Sequence, residues 1–163
     1  MSPIAKLFAG CALAAMLVSP ASAAGVLTQK NVSLDMAQEI ANAALAKCRA
    51  MGFKISVSVV DRDGLPIIMM YDEGAGLNTR EGGDRKAYTA AAFHAPSADF
   101  AKRMRDRPET AGSIQYSRVL ALGGGLPIKV GNETIGAVGV SGTPGKDDEC
   151  SQAGIDKVAD QLK

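Results

Sequence analysis

Tryptophan is absent from this sequence, histidine occurs once, and only 4% of the residues are aromatic. Surfaces that stack nucleobases depend on aromatic side chains, so a base-stacking or sugar-stacking function is not expected. A tetrahedral zinc site is excluded as well, because one histidine and widely spaced cysteines provide too few ligands. The 18 basic and 17 acidic residues nearly balance, which leaves no basic face for nucleic acid or for an anionic membrane.

Phosphate-binding loops are also missing, although residues 122–142, LGGGLPIKVGNETIGAVGVSG, are rich in glycine. A P-loop ending at Lys146 needs a glycine where Val140 stands and a serine or threonine where Asp147 stands. A dinucleotide-binding pattern needs a glycine at Ile128. We therefore interpret the segment as a loop that enters a β-hairpin.

Within that hairpin, Gly131 and Asn132 indicate the turn. Gly136 and Gly139 are three residues apart in the second strand, so they are expected on opposite faces of the sheet. Their missing side chains would let a helix, another subunit or a flat ligand approach closely. A serine nucleophile elbow is not supported, since Thr143 replaces the last glycine of the pattern.

The first 23 residues have the features of a secretory signal peptide. Lys6 precedes an apolar run at residues 7–18, and Ala21-Ser22-Ala23 matches a signal peptidase site. The run is too short to span a bilayer, although an uncleaved anchor is the alternative. We expect cleavage after Ala23, export to the periplasm or the medium, no membrane association afterwards, and one domain at residues 24–163.

Two cysteines, Cys48 and Cys150, remain after cleavage. In an oxidising compartment they can form a disulfide that joins the two ends of the domain. Because Cys48 lies on an apolar helix stripe, two separate buried thiols are the alternative, and only the geometry decides between them.

Hydrophobic periodicity predicts a helix over residues 33–51, a hairpin with its turn at Asp63-Gly64, and a helix in the second half of residues 78–95. A short helix follows Pro96, and residues 106–117 lack a period and are expected to form a loop. The second hairpin and a final helix beginning near Asp147 complete the chain. This order indicates an α+β domain in which helices cover an antiparallel sheet.

Several motifs resemble the GlcG/HbpS-like family, also called the haem-degrading or PduO-C-terminal-like family. They are VSVVDRDGLPIIMMYDEG, RKAYTAAAF, GGGLPI and GAVGVSGTPGKDDECSQAGI, in the expected order and over nearly all of residues 24–163. The resemblance implies a profilin-like three-layer α/β/α fold with a five-stranded antiparallel sheet, and a homo-oligomer. It also implies haem as the cofactor of exported relatives, some of which are linked to haem degradation, whereas other members are accessory proteins with no settled activity.

The candidate cofactor-binding residues are His94, Thr89 and Lys86. One imidazole is enough for an axial ligand of haem iron, so His94 is the candidate metal ligand, and it stands where the family is expected to have a small residue. The alternative is a helix-end histidine that bonds locally or faces solvent. The resemblance suggests Thr89 as a polar contact and Lys86 as a partner for a haem propionate, unless Lys86 pairs with an acid between subunits. Apolar walls are expected from Met69, Met70, Tyr71, Phe93 and Phe100.

The sequence thus predicts an exported haem-binding or haem-handling protein. The alternatives are a binder of another small organic molecule and an accessory oligomer without catalytic activity. Catalysis is not favoured: no residue set supplies electrons, so any haem degradation would need an external reductant or peroxide.

Overall fold

The computed structural model describes residues 25–163, and the predicted signal peptide at residues 1–23 lies outside the described residues. In chain order the elements are α1 (Leu34–Ala50), β1 (Ser56–Asp61), β2 (Pro66–Tyr71), α2 (Thr79–Phe93), α3 (Ser97–Asp106), a 3₁₀ helix (Pro108–Gln115), β3 (Gly125–Val130), β4 (Glu133–Ser141), α4 (Asp147–Lys157) and a 3₁₀ helix (Ala159–Leu162). In this part of the chain no helix combines the length and apolar composition needed to cross a membrane.

The sheet is antiparallel with the strand order β2-β1-β4-β3. The prediction of five strands is wrong, because within residues 25–163 the sheet has four, two from each hairpin. The fifth strand was implied by the family resemblance alone. The segment before β3 does not add a strand: the Gly124 carbonyl still accepts from the Val140 N–H of β4, but Gly124 has a φ of +117° and its N–H donates to Oδ1 of Asp148.

Helices cover both faces of the sheet and form the predicted three layers. On one face α1 and α4 pack over a core that includes Ile40, Val57, Val138 and Val158. On the other face α2 packs through small side chains, because its alanines meet the sheet directly; the cluster consists of Val60, Ala87, Ala90, Ala91 and Ala137. Short side chains bring the backbone of α2 close to the strands.

The helices match the predicted periodicity except in two places where the sequence signal is weak, the start of α2 and residues 108–115. Ser33 caps α1 by accepting a hydrogen bond from the Met36 N–H at 3.2 Å. α2 already begins at Thr79, because Gly82 and Gly83 pack against β4 and β1 and so are tolerated in the helix. Residues 108–115 form a 3₁₀ helix where a loop was expected, since the i→i+3 pattern gives no 3.6-residue period.

The cysteine pair is a disulfide: Cys48 of α1 and Cys150 of α4 are bonded, with their Cα atoms 5.6 Å apart. Both residues are fully buried. The alternative of two separate thiols is therefore wrong, and the bond cross-links the two helices of one layer.

Glycines allow backbone to touch backbone in this fold. A Cβ on Gly139 would lie 2.2 Å from the carbonyl oxygen of Gly83 in α2, and one on Gly136 would lie 2.5 Å from the carbonyl oxygen of Val60. Gly136 also faces Val32, so the two glycines contact different neighbours, as their spacing predicts. The group that approaches each glycine is the protein's own chain.

Candidate functional site

His94 is the residue that ends α2. Its φ of 53° and ψ of 26° place it in the left-handed region, and its N–H donates to the Ala91 carbonyl at 3.4 Å. A left-handed residue commonly ends a helix, but glycine or asparagine usually fills this position. The His94 side chain is exposed. The imidazole is therefore presented to solvent at the corner between α2 and α3.

An aromatic pair lies next to this imidazole in sequence and across the α2–α3 corner. The rings of Phe93 and Phe100 are 4.4 Å apart, centroid to centroid. The guanidinium of Arg103 lies over both rings, 5.0 Å and 5.2 Å from their centroids. A cavity of about 180 Å³ opens between these side chains, Ala95 and Asp99, and His94 is not among its lining residues. We call His94, Phe93, Phe100 and Arg103 the His94 corner.

The neighbouring cation Lys102 is partly neutralised. It donates a hydrogen bond to Oδ2 of Asp106, one turn further along α3. This hydrogen bond, with the nearby cationic side chains, lowers the pKa of Asp106 below its usual value, so the carboxylate stays charged. Arg103 forms no ion pair within residues 25–163, although the carboxylate of Asp99 lines the same cavity.

The expected apolar walls are only partly in place. Phe93 and Phe100 belong to the His94 corner, whereas Met69, Met70 and Tyr71 lie on β2. β2 is one edge strand of the sheet, and β3, which α3 contacts, is the other. The guanidinium of Arg80 covers the Tyr71 ring at 3.4 Å. The β2 residues therefore do not line the surface around His94.

Lys86 has a partner inside the chain. Its Nζ donates to Oδ2 of Asp147 at 2.7 Å and to the Val140 carbonyl at 3.2 Å. Only 5% of the Lys86 side chain and 10% of the Asp147 side chain are exposed. The second carboxylate oxygen of Asp147 accepts hydrogen bonds from the N–H and the hydroxyl of Thr143. A propionate would have to displace Asp147 to reach Lys86.

Thr89 is fully buried, and its hydroxyl is used twice. It donates to the Arg85 carbonyl at 2.7 Å and accepts from the Leu120 N–H at 2.9 Å. Thr89 thereby fastens the segment before β3 to α2. The structure does not bring the three predicted residues together: His94 is exposed and eight residues beyond Lys86, which is about 12 Å along a helix axis. Their roles at a haem stay predictions.

Sequence reasoning did not single out the cleft beside the first half of α2. This cleft has a volume of about 230 Å³, and its lining includes Asn78, Glu81, Arg85, Lys86, Leu120 and Leu122. A second cleft of about 290 Å³ adjoins it at Lys86 and Leu122 and reaches Asp147 and Asp148. Arg85 directly precedes Lys86 in the chain, but nothing in the sequence distinguishes it as a site residue.

Metal binding by protein ligands alone is not supported in the described residues. Within residues 25–163 no group of three or more histidine, cysteine or acidic side chains converges on one point. The acidic residues that begin α4 are used instead as acceptors for backbone N–H groups of Gly124 and Thr143.

Comparison with known proteins places this fold among haem-associated relatives. Residues 32–156 match the family described as "Haem degrading protein HbpS-like". A crystal structure of a double mutant of HbpS from Streptomyces reticuli is 28% identical, covers 94% of this chain and 97% of its own, and superposes with a TM-score of 0.77.

Two further proteins are similar to the chain, one in sequence and one in fold. An uncharacterised 15.0 kDa protein from the dhaT-dhaS intergenic region of Citrobacter freundii is 29% identical over 113 residues, which is 68% of this chain and 80% of the relative. A crystal structure of a PduOC:heme complex is similar in fold, with a TM-score of 0.71 and 23% sequence identity. The match covers 78% of this chain and 94% of that one.

Proposed function

Since the chain belongs to the HbpS-like family of haem-degrading proteins, we propose that it is an exported haem-binding protein and that His94 is its iron ligand. The observation that carries this proposal is an exposed histidine that directly follows Phe93 in the chain, where Phe93 packs against Phe100 and the guanidinium of Arg103. Haem needs each of these: a nitrogen for the iron, apolar contact for the porphyrin, and a cation for a propionate. The similar fold that was crystallised with heme supports the choice of ligand.

The shape of the His94 corner determines how haem would lie. Its cavity of about 180 Å³ is smaller than the roughly 300–1,000 Å³ of pockets that enclose organic ligands. Haem would therefore lie across the surface, with its edge against Phe93 and a propionate on Arg103. A second copy of the chain, as expected from the family resemblance, would cover the outer face of the porphyrin.

Export is supported by the disulfide. Buried structural disulfides persist in oxidising compartments and are rare in the cytosol, and Cys48–Cys150 joins two helices of the core layer. Together with the signal-peptide features of residues 1–23, this supports a periplasmic or secreted location.

Binding rather than catalysis is proposed. No cysteine pair other than the buried disulfide occurs in residues 25–163, so the residues around His94 do not supply electrons for ring opening. Haem turnover would require an external reductant or peroxide. The protein's own contribution is to hold the iron at His94 and to fix the porphyrin edge.

The test is a haemin titration of residues 24–163, followed by the Soret band. We expect a saturable shift for the wild type and at least a tenfold weaker affinity for His94→Asn, which keeps a residue type tolerated in the left-handed region. Arg103→Gln should weaken binding, and Arg105→Gln, an exposed arginine on the same helix, serves as the matched control. An absent shift contradicts the haem proposal, and an unchanged spectrum in His94→Asn removes His94 from the site.

A further inference from the structure

A second ligand site is indicated by the cleft between the first half of α2 and the segment before β3. One wall is apolar and consists of Leu120 and Leu122, while the other carries Arg85, Lys86 and Asn78. Leu122 is 55% exposed, which is high for a leucine that lines a cleft. A small-molecule site usually combines an apolar wall with a small number of polar groups that point into the same space.

Arg85 is held in place but incompletely bonded. Its Nη1 donates to Oε1 of Glu81 at 2.8 Å, and its Nη2 donates to the Val119 carbonyl at 2.7 Å. Its Nε is buried and has no hydrogen-bond partner. A buried N–H donor without an acceptor is uncommon in native proteins and is generally satisfied by a bound water, ion or ligand. The guanidinium is thus fixed and lacks one acceptor.

The acid that pairs with Arg85 is easily replaced. The Glu81 side chain is 71% exposed, and exposed ion pairs of this kind contribute little to stability because water screens them. When Glu81 turns out to solvent, the cleft keeps one uncompensated positive charge, since Lys86 is neutralised by Asp147. A guanidinium binds a carboxylate through two parallel N–H···O bonds, so a ligand carboxylate can take the place of Glu81 on the edge formed by Nη1 and Nη2.

The size of the cleft limits the rest of the ligand. Its volume of about 230 Å³ is below the range of pockets for drug-sized molecules. The two leucines provide contact for a short alkyl chain and no partner for additional charge. We infer that this cleft binds a small aliphatic monocarboxylate, with Arg85 as the carboxylate anchor and Leu120 and Leu122 as the wall for its hydrocarbon part.

This site is separate from the His94 corner, and the inference does not depend on haem binding. Arg85 and His94 are nine residues apart on α2, which is about 14 Å along the axis and half a turn around it. A propionate of a haem held by His94 therefore does not reach Arg85. A free acid and a haem held elsewhere are the two sources of the carboxylate, and competition distinguishes them.

Propionate and its uncharged isostere propionamide are the probes. Isothermal titration of residues 24–163 should give saturable binding of propionate, and propionamide should bind at least about tenfold more weakly, because its amide group has no negative charge and offers one acceptor oxygen instead of two. Saturating propionate should leave the affinity for haemin unchanged. Equal binding of the two probes, or no binding of propionate, overturns the inference, and displacement of propionate by haemin assigns the carboxylate to haem instead.

Two pairs of variants test the residues. Arg85→Gln should lose at least about tenfold in propionate affinity, whereas Arg105→Gln should keep the wild-type value. Since Arg85 also bonds Val119, a variant that leaves the arginine intact is needed. Leu122→Glu places a like charge at the cleft and should abolish binding, and Leu34→Glu, at an equally exposed leucine of α1 (58%), should not. Wild-type affinity in Leu122→Glu contradicts the location.

Discussion

The ammonium of Lys86 lies 2.7 Å from Oδ2 of Asp147, and this buried ion pair connects the middle of α2 to the first residue of α4 across the edge of the sheet. The two residues are 61 positions apart in the chain. The pair joins the layer that contains the His94 corner to the layer that contains the disulfide. Both candidate clefts meet at Lys86.

Replacing only one partner of this ion pair should lower the free energy of unfolding strongly. Lys86→Met leaves the Asp147 carboxylate buried without its cation, and such changes lower the free energy of unfolding by about 3–5 kcal/mol. Lys86→Met combined with Asp147→Leu should cost less than the sum of the two single changes, because neither charge is then left alone. Urea unfolding at neutral pH measures the free energy of unfolding of the two single variants and of the double variant. Additive losses would show that the two side chains are not coupled.

The close approach of α2 to β4 predicts a strong effect of one methyl group. In Gly139→Ala the new Cβ meets the Gly83 carbonyl and the Ala87 N–H, which are backbone atoms that cannot rotate away. We expect a loss of about 1–3 kcal/mol or more from overpacking. Gly112→Ala is the control, since nothing lies within 4 Å of its Cβ position. Thermal unfolding that shifts equally in both variants would contradict the packing argument.

Removing the disulfide should destabilise the domain without changing its fold. Cys48→Ala combined with Cys150→Ala frees a loop with a sequence separation of 102, and loss of a native disulfide typically costs about 2–5 kcal/mol. The wild type under reducing conditions should show the same lowered midpoint in urea. Because both cysteines are buried, dithiothreitol should reduce the disulfide of the native protein only slowly. Rapid reduction without unfolding would contradict the buried geometry.

Replacing His94 should lower the affinity for haem without lowering the stability of the domain. A left-handed conformation costs a residue with a Cβ about 1–2 kcal/mol, and glycine avoids this cost. His94→Gly should therefore raise the free energy of unfolding or leave it unchanged while haem affinity falls. Ala92→Gly, in the last turn of the same helix, should lower stability by about 0.5–1 kcal/mol. A fall in stability for His94→Gly would show that the imidazole has a structural role.

The elements that the sequence predicted are those with local signals. The alternation of β1 with its Asp63-Gly64 turn and the helical period of residues 33–51 depend on neighbouring residues, and both appear in the structure. The sheet could be counted from the two hairpins, and the count failed only where the family resemblance added a strand. Local pattern therefore determined most of the fold.

Long-range pairings could not be predicted in the same way. The Cys48–Cys150 bond and the contact of Lys86 with Asp147 both depend on how α4 packs beside α1 and on where its first residue meets α2. Arg85 could not be predicted as a site residue, because what distinguishes it is a buried N–H without an acceptor, which has no signature in a sequence. His94 was identified because it is the single histidine, and the structure agrees with the alternative stated for it, a helix-end histidine that faces solvent.

The bond between Cys48 and Cys150 also changes what a protease can do to this molecule. Residues 48–150 form a covalently closed ring that contains all four strands, α2 and α3. A single cut in any loop of that ring, such as the exposed segment around Leu77 or Tyr116, leaves one covalent molecule whose fragments stay joined. A nicked chain therefore keeps both sides of the sheet at high effective concentration and can close again around the cut.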